Sequence, residues 1–140
     1  MKILLAVDGS DYTKRMLSYI AAHDELLGAD HAYTALTAVS KIPGGAARFL
    51  DGSLITDYYR ELSEEVLKPV RAFAAQQGWK LNAVEVQGPA AQSIADYARE
   101  HKPDLIVMGT HGHSALGNMV LGSVTTGVLA RCTSPVLLIR

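Results

Sequence analysis

The chain has 140 residues, of which 49% are hydrophobic and 19% charged, and its formal net charge is −1. Such a length suits one domain with a full core, and such a composition excludes a disordered chain. No basic run or stripe is present, which argues against nucleic acid as a main partner, because neutralising a duplex backbone takes clustered Lys and Arg.

The apolar run at residues 3–7 closes in Asp8-Gly9-Ser10, which reads as a buried strand followed by a turn. The run is too short for a signal-peptide core or a membrane span, and no other segment approaches spanning length. A soluble, cytoplasmic protein with one domain over residues 1–140 is expected. Ser10 or Asp11 can cap the helix that follows, which carries Met16, Leu17 and Ile20 inward and closes at Gly28. Residues 32–39, mostly small or β-branched, form a second strand. Residues 40–53 contain Pro43-Gly44-Gly45 and Asp51-Gly52 and read as a loop, long enough to suggest a mobile or ligand-facing segment.

The longest helical pattern covers residues 54–77. Ile55, Tyr58, Leu62, Val66, Val70 and Phe73 supply its apolar stripe, Pro69 predicts a kink, and Gly78 ends it. Residues 81–86 alternate as a third strand. Gly88-Pro89 opens a helix that turns Ile94, Tyr97 and Ala98 inward. Residues 104–108 are the fourth strand, residues 124–131 the last helix with Ser123 at its N-cap, and residues 135–139 the final strand. Cys132, the single cysteine, fits a reducing cytosol and is expected to be a buried structural thiol. His23, His31 and His101 read as surface residues. The order βαβαβαβαβ implies an α/β fold, a parallel sheet with helices on both faces.

Ligands of such sheets bind beyond the carboxyl ends of strands, where the strand order reverses. Residues 109–123 lie there if the first and fourth strands are neighbours, opposite Asp8. A strand, a glycine-spaced loop and a helix N-terminus make an anion cradle from main-chain amides, so this stretch is expected to hold the phosphates of a nucleotide. The dinucleotide fingerprint GxGxxG is absent. Gly112 to Gly117 and Gly117 to Gly122 have the spacing of a P-loop without its lysine, the group that brings charge to a transferring phosphate. Phosphate binding with poor chemistry is the expectation. Ser10, Ser114 and Ser123 lack a GxSxG elbow, which leaves a hydrolase triad unsupported. His111 and His113, two apart with no Cys or carboxylate nearby, make a weak metal set, and none is assigned.

The spacing Gly109-x2-Gly112-x9-Gly122-Ser123 resembles that of the nucleotide-binding members of the universal stress protein family. Val7-Asp8-Gly9-Ser10, Gly88-Pro89-Ala90, the segment from Asp104 to Gly109 and the segment from Ser134 to Arg140 extend the resemblance over the whole chain. It implies a five-stranded parallel sheet of order 3-2-1-4-5, Rossmann-like, with ATP or another adenine nucleotide in the crevice between strands one and four and Mg²⁺ held by the phosphates. Asp8 would contact ribose or adenine, and Val39 would offer its backbone to adenine. Met108, at the end of the fourth strand, and Gly109, Gly112, His113, Gly122, Ser123, Val124 and Thr125 would complete the nucleotide site. Ala115 stands where the family often has glycine, and His113 where a basic residue is common, which would make phosphate affinity pH-sensitive. The resemblance also implies a homodimer paired through the last strand, from Pro135 to Arg140, acting on a client protein as a stress-response regulator. A slow ATPase or phosphoryl-transfer enzyme using His111 or His113 with Mg²⁺, and a nucleotide-free interaction module, remain open. In the nucleotide reading, Gly122→Val is expected to block phosphate entry by setting a branched side chain against the anion.

Overall fold

A computed structural model of the chain describes residues 1–113, 118 and 120–140. Among them the strands are β1 (Lys2–Ala6), β2 (Ala32–Val39), β3 (Lys80–Gln87), β4 (Leu105–Gly109) and β5 (Val136–Ile139). The helices are α1 (Asp11–Ala22), α2 (Asp24–Leu27), α3 (Gly44–Ala47), α4 (Gly52–Gln76), α5 (Ala90–His101) and α6 (Ser123–Arg131). The five strands form one sheet in the order β3-β2-β1-β4-β5, and every pairing is parallel. This is the expected Rossmann-like α/β architecture.

Successive side chains of a strand point to opposite faces, and the core divides accordingly. Ile3 and Leu5 of β1 join Tyr33, Ala35 and Val107 in a layer under α1 and α4, which contribute Met16, Ile20, Leu67 and Val70. Leu4 joins Leu36, Ile106 and Met108 in the opposite layer, under Ile94 of α5 and Val128 of α6. The continuous apolar runs of β1 and β4 exist because both faces of these central strands are covered. Trp79, the single tryptophan, stacks on Tyr33 with ring centroids 4.9 Å apart and meets Phe73 edge-on at 5.7 Å, closing the first layer near the amino end of β3.

Several local expectations are refined. The first helix does not run to Gly28: it ends at Ala22, His23 leaves the helical region at φ −125° and ψ 51°, and α2 follows as a separate turn. The imidazole of His23 takes part in the break, meeting the Tyr19 carbonyl at 2.8 Å and stacking on the Tyr19 ring. His23 and His31 are half-buried at the surface, and His31 lies between the N-terminal amine and the Leu26 carbonyl. In α4 the fully buried stripe is Tyr59, Ser63, Leu67, Val70 and Ala74, while Tyr58 is exposed. The helix remains one element through Pro69. The long connection after β2 includes α3, and Asp51 caps α4 by accepting from the Ser53 amide. Cys132 is half-buried against the α5–α6 layer.

Candidate functional site

β1 and β4 are neighbours, so the turn leaving β1 and the loop leaving β4 open side by side, with α1 on one face of the sheet and α6 on the other. Gly9 makes the turn after β1 at φ 76°, a conformation that side chains other than glycine's resist. A Cβ there would also stand 3.3 Å from Val66 Cγ2 of α4. Beyond the carboxyl ends lies a crevice of about 370 Å³, within the range of roughly 300–1,000 Å³ common for small-molecule sites. Its floor is apolar. Ala6, Leu36, Ala38 and Met108 all point to the α5–α6 face, and Ala90 and Ile94, one turn apart on α5, form the adjoining wall.

The polar groups gather at the rim. Asp8 divides its carboxylate between two tasks. Its Oδ1 accepts from the Ser10 amide and from the Thr13 hydroxyl, each at 2.9 Å, while the Asp8 amide donates to Thr13 Oγ1 at 3.1 Å. This network ties the turn after β1 to the first turn of α1, where Ser10 stands at the N-cap as expected but makes no side-chain cap hydrogen bond. Ser10 Oγ is instead buried with no hydrogen-bond partner among the described residues. The second oxygen, Oδ2, faces Gly112, where a Cβ would stand 2.5 Å away. The His113 ring reaches back across the opening and donates from Nε2 to the Asp8 carbonyl at 2.6 Å.

The loop after β4 is braced from within. Thr125, 1% exposed, directs its hydroxyl to the carbonyls of Gly109 and Thr110 at 3.0 and 3.1 Å, and the Gly122 amide donates to Thr110 O at 2.7 Å. Gly122 caps α6, making Ser123 its first helical residue rather than its cap. The first bond into that cap is Thr126 N to Gly122 O, so the amides of Ser123, Val124 and Thr125 have no acceptor within the helix. They form the donor set that an anion at a helix N-terminus uses. Among the described lining residues there is no Lys or Arg. Among the described residues no group of three or more His, Cys, Asp and Glu gathers around a metal-sized site.

Asp8, Met108, Gly109, Gly112, His113, Gly122, Ser123, Val124 and Thr125 all line this crevice. Val39 does not. Strand alternation turns its side chain to the other face, Ala38 takes the lining position, and the Val39 carbonyl accepts from the Gly88 amide at 2.9 Å. Sequence reading also missed Tyr12, Ala90 and Ile94. The period-two alternation through Leu36 and Ala38, and the four-residue spacing of Ala90 and Ile94, are the signals that point to the floor and wall. Ser114, Ala115 and Gly117 lie outside the described residues, and with them the alanine-for-glycine departure and the P-loop spacings.

The glycines also make room for the protein's own chain. A Cβ on Gly109 would stand 2.6 Å from Tyr12 Cβ, and one on Gly122 would stand 3.1 Å from both His111 Cα and Thr110 O. Their bare Cα atoms admit the protein's own chain: α1 against Gly109, the Asp8 carboxylate against Gly112, the loop backbone against Gly122. Gly122→Val would therefore distort the loop before it obstructed any ligand.

The sequence and fold resemble those of known proteins. A universal stress protein of Thermus aquaticus is 35% identical over 142 residues, covering 99% of this chain and 97% of its own. One from Methanocaldococcus jannaschii is 32% identical over 141 residues, covering 99% of this chain and 81% of its own. The solved structure of a second M. jannaschii universal stress protein superposes with a TM-score of 0.79 at 25% identity, covering 99% of this chain and 94% of that one. The fold is also shared with an Arabidopsis thaliana family protein with AMP bound (TM-score 0.71, 16% identity, 99% of this chain and 90% of that one). An Archaeoglobus fulgidus universal stress protein in complex with dAMP gives a TM-score of 0.62 at 22% identity, covering 100% of this chain and 98% of that one. The model of the Universal stress protein family matches residues 1–140 from end to end, and the chain belongs to that family.

Proposed function

We propose that this protein binds an adenine nucleotide, ATP in the first instance, and that occupancy of the crevice regulates a client protein in the cytoplasm. One observation carries the reading: an apolar floor, a carboxylate oxygen and the acceptor-free amides of a helix N-terminus converge on one crevice at the switch point of the sheet. The floor of Ala6, Leu36, Ala38 and Met108 suits a flat purine. Asp8 Oδ2 suits ribose hydroxyls, and the amides of Ser123, Val124 and Thr125 suit phosphate oxygens. Mg²⁺ would travel with the phosphates, and it supplies charge neutralisation when bound. No P-loop lysine follows either glycine spacing, so the arrangement suits holding a nucleotide rather than transferring its phosphate. The nucleotide complexes of the A. thaliana and A. fulgidus family members support the same reading.

Calorimetric titration with ATP, AMP and cyclic AMP, with and without Mg²⁺, tests it. Saturable binding of at least one is expected, and no heat from any of them at high micromolar ligand overturns the proposal. Gly112→Ala sharpens the test, because its Cβ would push against Asp8 Oδ2 while Oδ1 stays held by Ser10 and Thr13. A fall in affinity of roughly ten-fold, the weight of one contact to a charged group, is expected in a folded variant.

A further inference from the structure

A triphosphate carries several negative charges, yet the described lining of the crevice offers no cationic Lys or Arg and contains the Asp8 carboxylate. A cation outside that lining stands on the ring of one lining residue, Tyr12. Tyr12 packs its Cβ against bare Gly109 and sets its ring 5.3 Å from that of His111, and both residues line the crevice together with Gly112 and Ser123. One helical turn further along α1, the guanidinium of Arg15 lies over the Tyr12 ring, 5.2 Å from its centroid. Arg15 is exposed, and no carboxylate pairs with it among the described residues. By contrast its neighbour Lys14 is paired with Asp11 at 3.2 Å.

We infer that Arg15 is a specificity-determining residue of this site, the cation that recognises the phosphates beyond the first; the inference rests on the nucleotide reading above. With a purine on the floor and ribose at Asp8, the first phosphate reaches the amides that open α6. A second and third phosphate extend outward past Tyr12 and His111, toward the guanidinium. The planar fork of Arg15 keeps free donors while its face rests on the phenol ring, so it can engage phosphate oxygens without leaving that support. The ring acts as a platform that holds the charge near the rim. Arg15 thereby separates nucleoside triphosphates from monophosphates, while the crevice itself accepts both.

The test is titration of the full chain and of Arg15→Gln with AMP and ATP, without Mg²⁺ so that the side chain is the source of positive charge. Arg15→Gln is expected to weaken ATP roughly ten-fold and to leave AMP within about two-fold, as fits one exposed charge-assisted contact. In the unaltered protein, the preference for ATP over AMP should shrink at ~1 M salt, where screening acts over roughly 3 Å, and the variant should show little preference to lose. Equal loss for AMP and ATP would mean that Arg15 only supports Tyr12, and an unchanged ATP affinity would mean that it does not meet the phosphates. Either result overturns the assignment while AMP binding leaves the nucleotide reading standing. Failure of the unaltered protein to bind either nucleotide overturns both.

Discussion

The phenol of Tyr33 is buried at 2% exposure, and its hydroxyl donates to the carbonyls of Leu27 and Gly28 where α2 ends. Burial disfavours the phenolate and raises its pKa from 10.0 to about 12. The folded protein therefore keeps this proton in the interval where the unfolded chain releases it. Stability is unaffected by this group below pH 10 and declines as pH rises from there to about 12. Denaturant midpoints measured across that interval should fall with pH, and Tyr33→Phe should flatten that decline while lowering stability at neutral pH. At the same scale, the candidate site was legible in sequence through Asp8 and the spacing of Gly109, Gly112 and Gly122, because a strand-end acid and a fixed glycine spacing are local patterns. What those glycines touch was not legible. Tyr12, Asp8 and His111 come to them from distant parts of the chain or from the turn of the loop, and only the folded sheet sets those approaches.

At the scale of the element, α4 shows where periodicity succeeds and where it misleads. A 25-residue helix was readable, but its apolar stripe was displaced, because Leu54 at 58% and Tyr58 at 46% exposure lie on a first half with little above it. Small Ala74 and polar Ser63 occupy buried positions that hydropathy does not mark. Ser63 fits by donating to Glu85 on β3 at 2.6 Å. The break at His23 was hidden because Leu26 and Leu27 continue an apolar pattern past it. By contrast β2 matched its expected bounds, since its small, apolar and β-branched residues give way to Ser40 and Lys41 after Val39. Pro69 sits exposed within α4, where it removes the amide that would reach the Glu65 carbonyl. Pro69→Ala should restore that bond and stabilise the protein by about 1–3 kcal/mol. Thermal denaturation of the two proteins checks this, and an unchanged or lower Tm would show that α4 has adapted its packing to the proline.

At the scale of the molecule, the sheet has two edges, β3 and β5. Thr110 N donates to Ile139 O and Ile106 N to Pro135 O, so the odd-numbered residues of the last strand turn their backbone groups toward β4. Val136 and Leu138 direct theirs outward, an unpaired row that another strand can meet. Pairing of two copies through this edge is the arrangement we propose for a homodimer. Leu138→Pro removes an outward amide and leaves the inward ladder its donors. Sedimentation velocity should then show a dimer for the parent protein and a monomer for the variant. A parent protein that is monomeric, or a variant that still dimerises, would place the interface elsewhere or remove it.

The aromatic stack around Trp79 has a practical corollary. A lone indole, quenched or lit by its contacts with Tyr33 and Phe73, sits at the amino end of β3, whereas the crevice opens at the opposite ends of the strands. Its emission is thus a built-in optical gauge of whether the interior is intact. Occupancy of the crevice leaves that gauge still, so melting and ligand uptake can be followed on separate channels in a single cuvette.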